Sequence, residues 1–290
     1  MNPMLVEIKL DRPDFDRFIG AWVIEGEKNV VVDVGPSNPI EGLFSSLSAM
    51  GVRRVDLVLL THIHIDHAGG LAEFLDHFPM AKAVTHKDAI PHLVDPAALW
   101  SGSRRVLGDL CDTYGPIASV ASHRLIPHIE ADVEGLQIIE TPGHASHHLC
   151  FVYGGVLFAG EAAGVYLESS GAVYLRPATP PPFRLHESLK SVDRLLALPD
   201  LPLCYGHFGG AESSLLMLQR AREQLLRWEG MIKEVVASGQ DDLIEKSMER
   251  LLAEDQELAA FEGMTPQQQE RDRFFMAQCV EGFLGYLTSL

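Results

Sequence analysis

Three imidazoles and a carboxylate fall within six positions of this chain, in the run Thr61-His62-Ile63-His64-Ile65-Asp66-His67-Ala68-Gly69. The run follows Val55-Asp56-Leu57-Val58-Leu59-Leu60, an apolar stretch that reads as a buried strand. Imidazole nitrogen together with carboxylate oxygen suits zinc, and equally iron or manganese. In an extended segment His62 and His64 project to one side, because side chains alternate with period two. Asp66 and His67 are adjacent and diverge, so one loop can serve two metal positions. Gly69-Gly70 then lets the chain turn sharply into a helix. A histidine-rich surface loop is the plain alternative, but such loops rarely follow a buried strand so closely.

More ligand-type residues stand at strand ends downstream. Thr141-Pro142-Gly143-His144 follows the apolar run Leu136–Glu140, and Glu161 closes Val156-Leu157-Phe158-Ala159-Gly160. His207 follows Leu203-Cys204-Tyr205-Gly206. Taken singly, Glu161 reads as a solvated carboxylate and His207 as a core imidazole. Repeated together, these loops point to one shared face.

The elements that must position those loops are short and strand-rich up to about residue 209. Strands are predicted at Leu5–Leu10, Phe18–Glu25, Val30–Val34, Val55–Leu60, Ala81–Thr85, Leu136–Glu140, Leu149–Val152 and Val156–Phe158. Helices are predicted at Pro39–Met50, Leu71–Phe78 and Phe183–Leu198, which implies helix layers on sheet. Beyond Gly209 the pattern is helical. Met217, Leu218, Ala221, Leu225 and Trp228 share one arc, with Arg220, Glu223 and Arg227 opposite. Further helices are predicted over Asp242–Glu254 and Pro266–Leu287. The Pro-rich stretch Pro177–Pro182 reads as an extended loop. Residues 1–209 are therefore expected to form the catalytic domain, and 210–290 a helical extension packed on it.

Composition narrows the function. The chain has 290 residues, enough for a sizeable core, and a formal net charge of −17. That charge argues against non-specific affinity for nucleic acid or an anionic membrane as partner. No apolar stretch approaches about 20 residues, so no membrane span is expected. The N-terminal run carries Glu7 and Asp11 and does not match a secretory signal. Cys111, Cys150, Cys204 and Cys279 are scattered, which fits reduced thiols in a cytoplasmic protein.

On His62-x-His64-x-Asp66-His67, Thr141-Pro142-Gly143-His144, Gly160-Glu161 and Gly206-His207, in that order, the chain resembles the metallo-β-lactamase superfamily over residues 5–209. The resemblance implies a four-layer αββα sandwich with two divalent metal ions at one edge. Zinc is the first choice, and iron or manganese the others. It places His62, His64 and His144 on one metal, and Asp66, His67 and His207 on the other. Glu161 stands where the family has a bridging Asp, and its extra methylene moves the carboxylate by about 1.5 Å. Asp33 and His148 match supporting positions beside the ligands. A hydroxide held between the metals would attack an electrophilic carbonyl, with Asp66 orienting it and passing a proton to the leaving group. A small ester, thioester or lactone is the expected substrate, as in glyoxalase II-like and lactonase-like members. Tyr166 is a candidate to hydrogen-bond its carbonyl, and Arg176 and Phe183 candidates for a pocket wall. An iron persulfide dioxygenase-like oxidoreductase and a non-catalytic binding protein are the alternatives. The helical extension reads as a lid or substrate-recognition module, or else as a scaffold or the contact of a homodimer.

Overall fold

The computed structural model describes residues 2–169, 171–239 and 241–289. The chain divides into two compact units, one of Met1–Glu140, His147–Gly160 and Gly206–Phe208, the other of Thr141–Ser146, Glu161–Tyr205 and Gly209–Leu290.

In the first unit β1 (Met4–Glu7), β2 (Gly20–Ile24), β3 (Val30–Val32), β4 (Leu57–Leu59), β5 (Lys82–Thr85) and β6 (Leu125–Pro127) form one sheet in sequence order. The pairs β1–β2 and β2–β3 are antiparallel, whereas β3 to β6 run parallel. Parallel neighbours need crossovers. The β3–β4 crossover carries α1 (Ile40–Ala49), and α2 (Ile65–Ala68) and α3 (Leu71–His77) lie between β4 and β5. Between β5 and β6 come α4 (Ile90–Val94), α5 (Ala97–Leu107) and α6 (Leu110–Tyr114). The central strands β3 and β4 are wholly buried, which is why they read as unbroken Val/Leu runs. A second set, β7 (Gln137–Glu140), β8 (Leu149–Tyr153) and β9 (Val156–Gly160), is an antiparallel meander. Trp22 of β2 meets Phe158 of β9 edge to face at 6.4 Å, joining the two sets through their apolar faces.

The second unit holds the hairpin of β10 (Val165–Ser169) and β11 (Ala172–Arg176), then α7 (Leu185–Leu196) and the short pair β12 (Leu203–Tyr205) and β13 (Gly210–Ala211). Three helices follow: α8 (Ser214–Ala237), α9 (Leu243–Glu254) and α10 (Pro266–Thr288). Ser213 caps α8 by accepting the Leu216 N–H, and Thr265 opens α10 with a capping box to Gln268. The predicted arc of α8 is buried as expected, and Gln224, Met231, Ile232 and Val235 extend it. On the other side Arg220 pairs with Glu257 and Arg227 with Asp255. Among the described residues no helix is long and apolar enough to cross a membrane.

Sequence periodicity does not anticipate α4 to α6, β6 or the β10–β11 hairpin. The helix α5 buries no residue, so it presents no apolar stripe to read.

Candidate metal centre

His62, His64, Asp66 and His67 stand beyond the carboxyl end of the parallel strand β4, and His207 follows β12. The chain leaves β4 through Leu60 and Thr61, and His62 and His64 follow. His64 occupies the N-cap position of α2, its carbonyl accepting the His67 and Ala68 N–H, and α2 carries Asp66 and His67 on one helical turn. Gly69 is required there, because a Cβ would stand 2.3 Å from the Ile65 carbonyl oxygen. His62 and His67 are buried, while His64 and Asp66 are half-buried.

Asp33, just beyond β3, organises this loop. Its Oδ1 accepts the Thr61 N–H at 2.8 Å. Its Oδ2 accepts the Thr61 hydroxyl at 2.8 Å and His67 Nδ1–H at 2.9 Å. Because the Thr61 hydroxyl donates to Asp33, its oxygen accepts from His62 Nδ1–H at 3.0 Å. Both histidines therefore carry the proton on Nδ1 and the lone pair on Nε2, the arrangement of a metal-ligating imidazole whose other nitrogen donates to an oxygen. His62 Nε2 lies 3.0 Å from His64 Nδ1. His67 Nε2 and His207 Nε2 lie 3.7 and 3.9 Å from Asp66 Oδ2. These last three residues offer ligand atoms within 4.8 Å of one another. The His207 ring is held by Phe18, at 4.5 Å between centroids.

His148 is fully buried with its ring 5.4 Å from that of His62. Gly160, with φ of 51°, makes room for it, since a Cβ would stand 2.4 Å from His148 Nε2. His147, which sequence reading leaves without a role, lies 6.4 Å from the His62 ring and 6.2 Å from that of His64.

In the second unit the candidates are His144 and Glu161. His144 Nδ1–H donates to the Ala178 carbonyl at 3.1 Å, which again leaves the lone pair on Nε2. That nitrogen faces Glu161 Oε2 at 2.9 Å, with both side chains nearly buried. A lone pair opposed to a carboxylate at this distance needs a cation or a proton between them, so the donor set fits a divalent ion. Tyr166 lies inside: its hydroxyl donates to Glu168 at 2.9 Å and its ring stacks on Tyr205 at 4.9 Å. Arg176 and Phe183 are likewise interior, Arg176 donating to the Cys279 sulfur and Phe183 packing on Phe283.

A third cluster joins His86 after β5, His128 after β6 and Glu140 at the end of β7, with ligand-type atoms within 4.8 Å of one another. The imidazoles stack at 4.5 Å, and His128 Nε2–H donates to Glu140 at 2.8 Å. That hydrogen bond lowers the Glu140 carboxyl below its ordinary range. All four cysteines are buried and outside any disulfide, and burial pushes the Cys204 thiol up.

The model of the metallo-beta-lactamase superfamily matches residues 16–207, and the chain belongs to that superfamily. A metallo-beta-lactamase fold-containing protein of Sulfurisphaera tokodaii is 29% identical over 251 residues, 81% of this chain and 90% of that protein. A hydroxyacylglutathione hydrolase of Aeromonas hydrophila is 32% identical over 185 residues, 63% of this chain. The chain spans 58% of that hydrolase's length. Among solved structures, an archaeal metallo-beta-lactamase superfamily protein from Sulfolobus tokodaii aligns with TM-score 0.71 at 24% identity, over 98% of this chain and 99% of that one. One from Thermus thermophilus aligns with TM-score 0.65 at 22% identity, over 99% and 93%. The fold is thus that of the metallo-β-lactamases, mixed sheets and helices with a C-terminal helical region.

Proposed function

We propose that the protein is a cytoplasmic metal-dependent hydrolase of a small ester, thioester or lactone. In this reading His62, His64 and His144 would hold one divalent cation and Asp66, His67 and His207 the other, with Glu161 as a further carboxylate ligand. The carrying observation is the hydrogen-bond polarity at Nδ1. His62, His67 and His144 each donate there to an oxygen, which reserves Nε2 for a ligand. Zinc is the favoured ion by donor type.

Bound cations would supply an activated water and polarise the substrate carbonyl. The chain's own contribution is placement. Asp66, half-buried beside His67 and His207, would orient that water by accepting its hydrogen bond and carry the proton to the leaving group. No side-chain nucleophile is required, and the four cysteines are buried. The thioester option draws support from relatives named hydroxyacylglutathione hydrolase. The helical extension is assigned to substrate recognition or to a homodimer contact.

Elemental analysis of protein purified without chelators, paired with a panel of esters, thioesters and lactones, tests the proposal. Two equivalents of zinc with turnover of a panel member is the expected result. Two equivalents of zinc without any turnover would overturn the substrate half. Bound iron with oxygen uptake on a persulfide would move the protein to the dioxygenase class, a reading that Glu161 in place of Asp keeps in view.

A further inference from the structure

We propose that Asp33 and Thr61 form a polarity relay that sets the ligating tautomer of two histidines at different metal positions, His67 directly and His62 through the Thr61 hydroxyl. The inference rests on the metal-centre reading above and adds Thr61 to it as a positioning residue.

The relay has a direction. A carboxylate only accepts, so both groups on Asp33 Oδ2 must donate: the Thr61 hydroxyl at 2.8 Å and His67 Nδ1–H at 2.9 Å. A hydroxyl has one proton. Having spent it on Asp33, Thr61 can only accept from His62, whose Nδ1 stands 3.0 Å away. One negative charge therefore sends the lone pairs of two rings to Nε2. The four residues are 0–2% exposed, so no bulk water competes with these bonds. Asp33 also adopts a left-handed backbone with φ of 55°. That conformation is strained for a non-glycine residue and persists where the surroundings enforce it. The enforcement is visible: Asp33 N–H donates to Leu59 O at 3.0 Å, and Val34 N–H to His67 O at 2.9 Å.

Two near-isosteric substitutions separate the branches. In Asp33→Asn the Thr61 N–H keeps the amide oxygen at the Oδ1 position. The amide NH2 then faces Thr61 and His67 as a donor. His67 Nδ1 becomes an acceptor, and the Thr61 hydroxyl is freed to donate to His62, so both rings reverse. In Thr61→Val the backbone bond to Asp33 remains while the hydroxyl is lost, so only His62 loses its Nδ1–H.

Long-range proton–nitrogen correlation on isotope-labelled histidine in metal-free protein reads these tautomers. The expected result is Nδ1–H on His62 and His67 in the natural chain, reversal of both in Asp33→Asn, and a change at His62 alone in Thr61→Val. Thr61→Ser should restore the natural pattern, which a merely destabilised variant would not do. Zinc titration of the same proteins is expected to show one of two binding steps weakened about 10–100-fold in Thr61→Val, and both in Asp33→Asn. An Nε2–H proton on either ring in the natural chain would overturn the relay, as would a Thr61→Val variant that changes both rings or neither. Natural protein that shows the tautomers but takes up no zinc would overturn the metal-centre reading and leave the relay standing.

Discussion

Asp66–His67–His207 and His86–His128–Glu140 offer the same donor groups, two imidazoles and a carboxylate, with ligand-type atoms within 4.8 Å in each. Residue type and proximity do not tell them apart; their hydrogen-bond polarity does. His67 Nδ1–H donates to Asp33 and keeps its lone pair on Nε2. His86 Nδ1 instead accepts the Asp88 N–H at 3.2 Å, and His128 Nδ1 accepts the Lys87 N–H at 3.1 Å. A backbone amide can only donate, so these rings carry the proton on Nε2, where a metal would need the lone pair. The second cluster is a clasp that ties the turn after β5 to the end of β7. What surrounds an imidazole decides whether it is a ligand, and the partner of its far nitrogen is the deciding contact.

Catalysis should separate the clusters most widely. His67→Ala is expected to lower turnover of the responsive substrate by at least about 10²-fold with loss of bound metal. His128→Ala should stay within about twofold with unchanged metal content, a limit set by the absence of any role at the reacting atoms. Kinetics with elemental analysis on both variants reads this, and metal loss in His128→Ala would break the distinction.

Ligand-linked stability comes next. Free zinc at 1,000-fold above its dissociation constant stabilises a folded protein by about 4 kcal/mol. Thermal melts of chelator-stripped protein with and without zinc should show that gain in the natural chain and in His128→Ala, and a much smaller one in His67→Ala. An equal gain in all three proteins would mean that zinc binds elsewhere.

The clasp should instead reveal itself in the metal-free fold. His128→Ala leaves the Lys87 N–H without its acceptor and removes the bond to Glu140. We expect a cost of about 1–3 kcal/mol in urea unfolding. Unchanged stability would show that the clasp contributes nothing.

The smallest effect is acid sensitivity. Burial, and then neighbouring His128, lower the His86 imidazole from its ordinary 6.5. Folding therefore favours the neutral ring. Its contribution is whole above 6.5 and is lost as pH falls from there through the folded-state value. The thermal midpoint of metal-free protein should drop by a few degrees at most, by the usual scaling of about 2–4 °C per kcal/mol. Replacing His86 by Ala should flatten that part of the profile, and an unaltered slope would remove His86 as its source.

The sequence makes some of this legible and hides the rest for a physical reason. Val30–Val34 and Val55–Leu60 read as strands because both faces of β3 and β4 are buried, and the ligand run stands out because polar types follow an apolar strand at once. His144, Glu161 and His207 are recognised only as repeated strand-end residues. The Asp33–Thr61 bonds join positions 28 apart, and no local spacing announces them. Thr61 is present in the run but carries no sign of its role until β3 is seen beside β4. His86, His128 and Glu140 pass unread because each is a lone residue on its own segment. Tyr166 looks available in sequence, whereas its hydroxyl already donates to Glu168.

In the ladder between β3 and β4, Val31 lies opposite Val58 and Val32 opposite Leu59. One step further on that alignment sets Asp33 opposite Leu60, from where its carboxylate reaches the Thr61 N–H and hydroxyl. A slip of a single residue would turn the carboxylate to the opposite face and strand both imidazoles. If the proposed cations bind, their coordination strength would be inherited partly through hydrocarbon. A drift among valines that shifts the strand by a fraction of an ångström would then retune the hold on a cation without altering any atom that touches it.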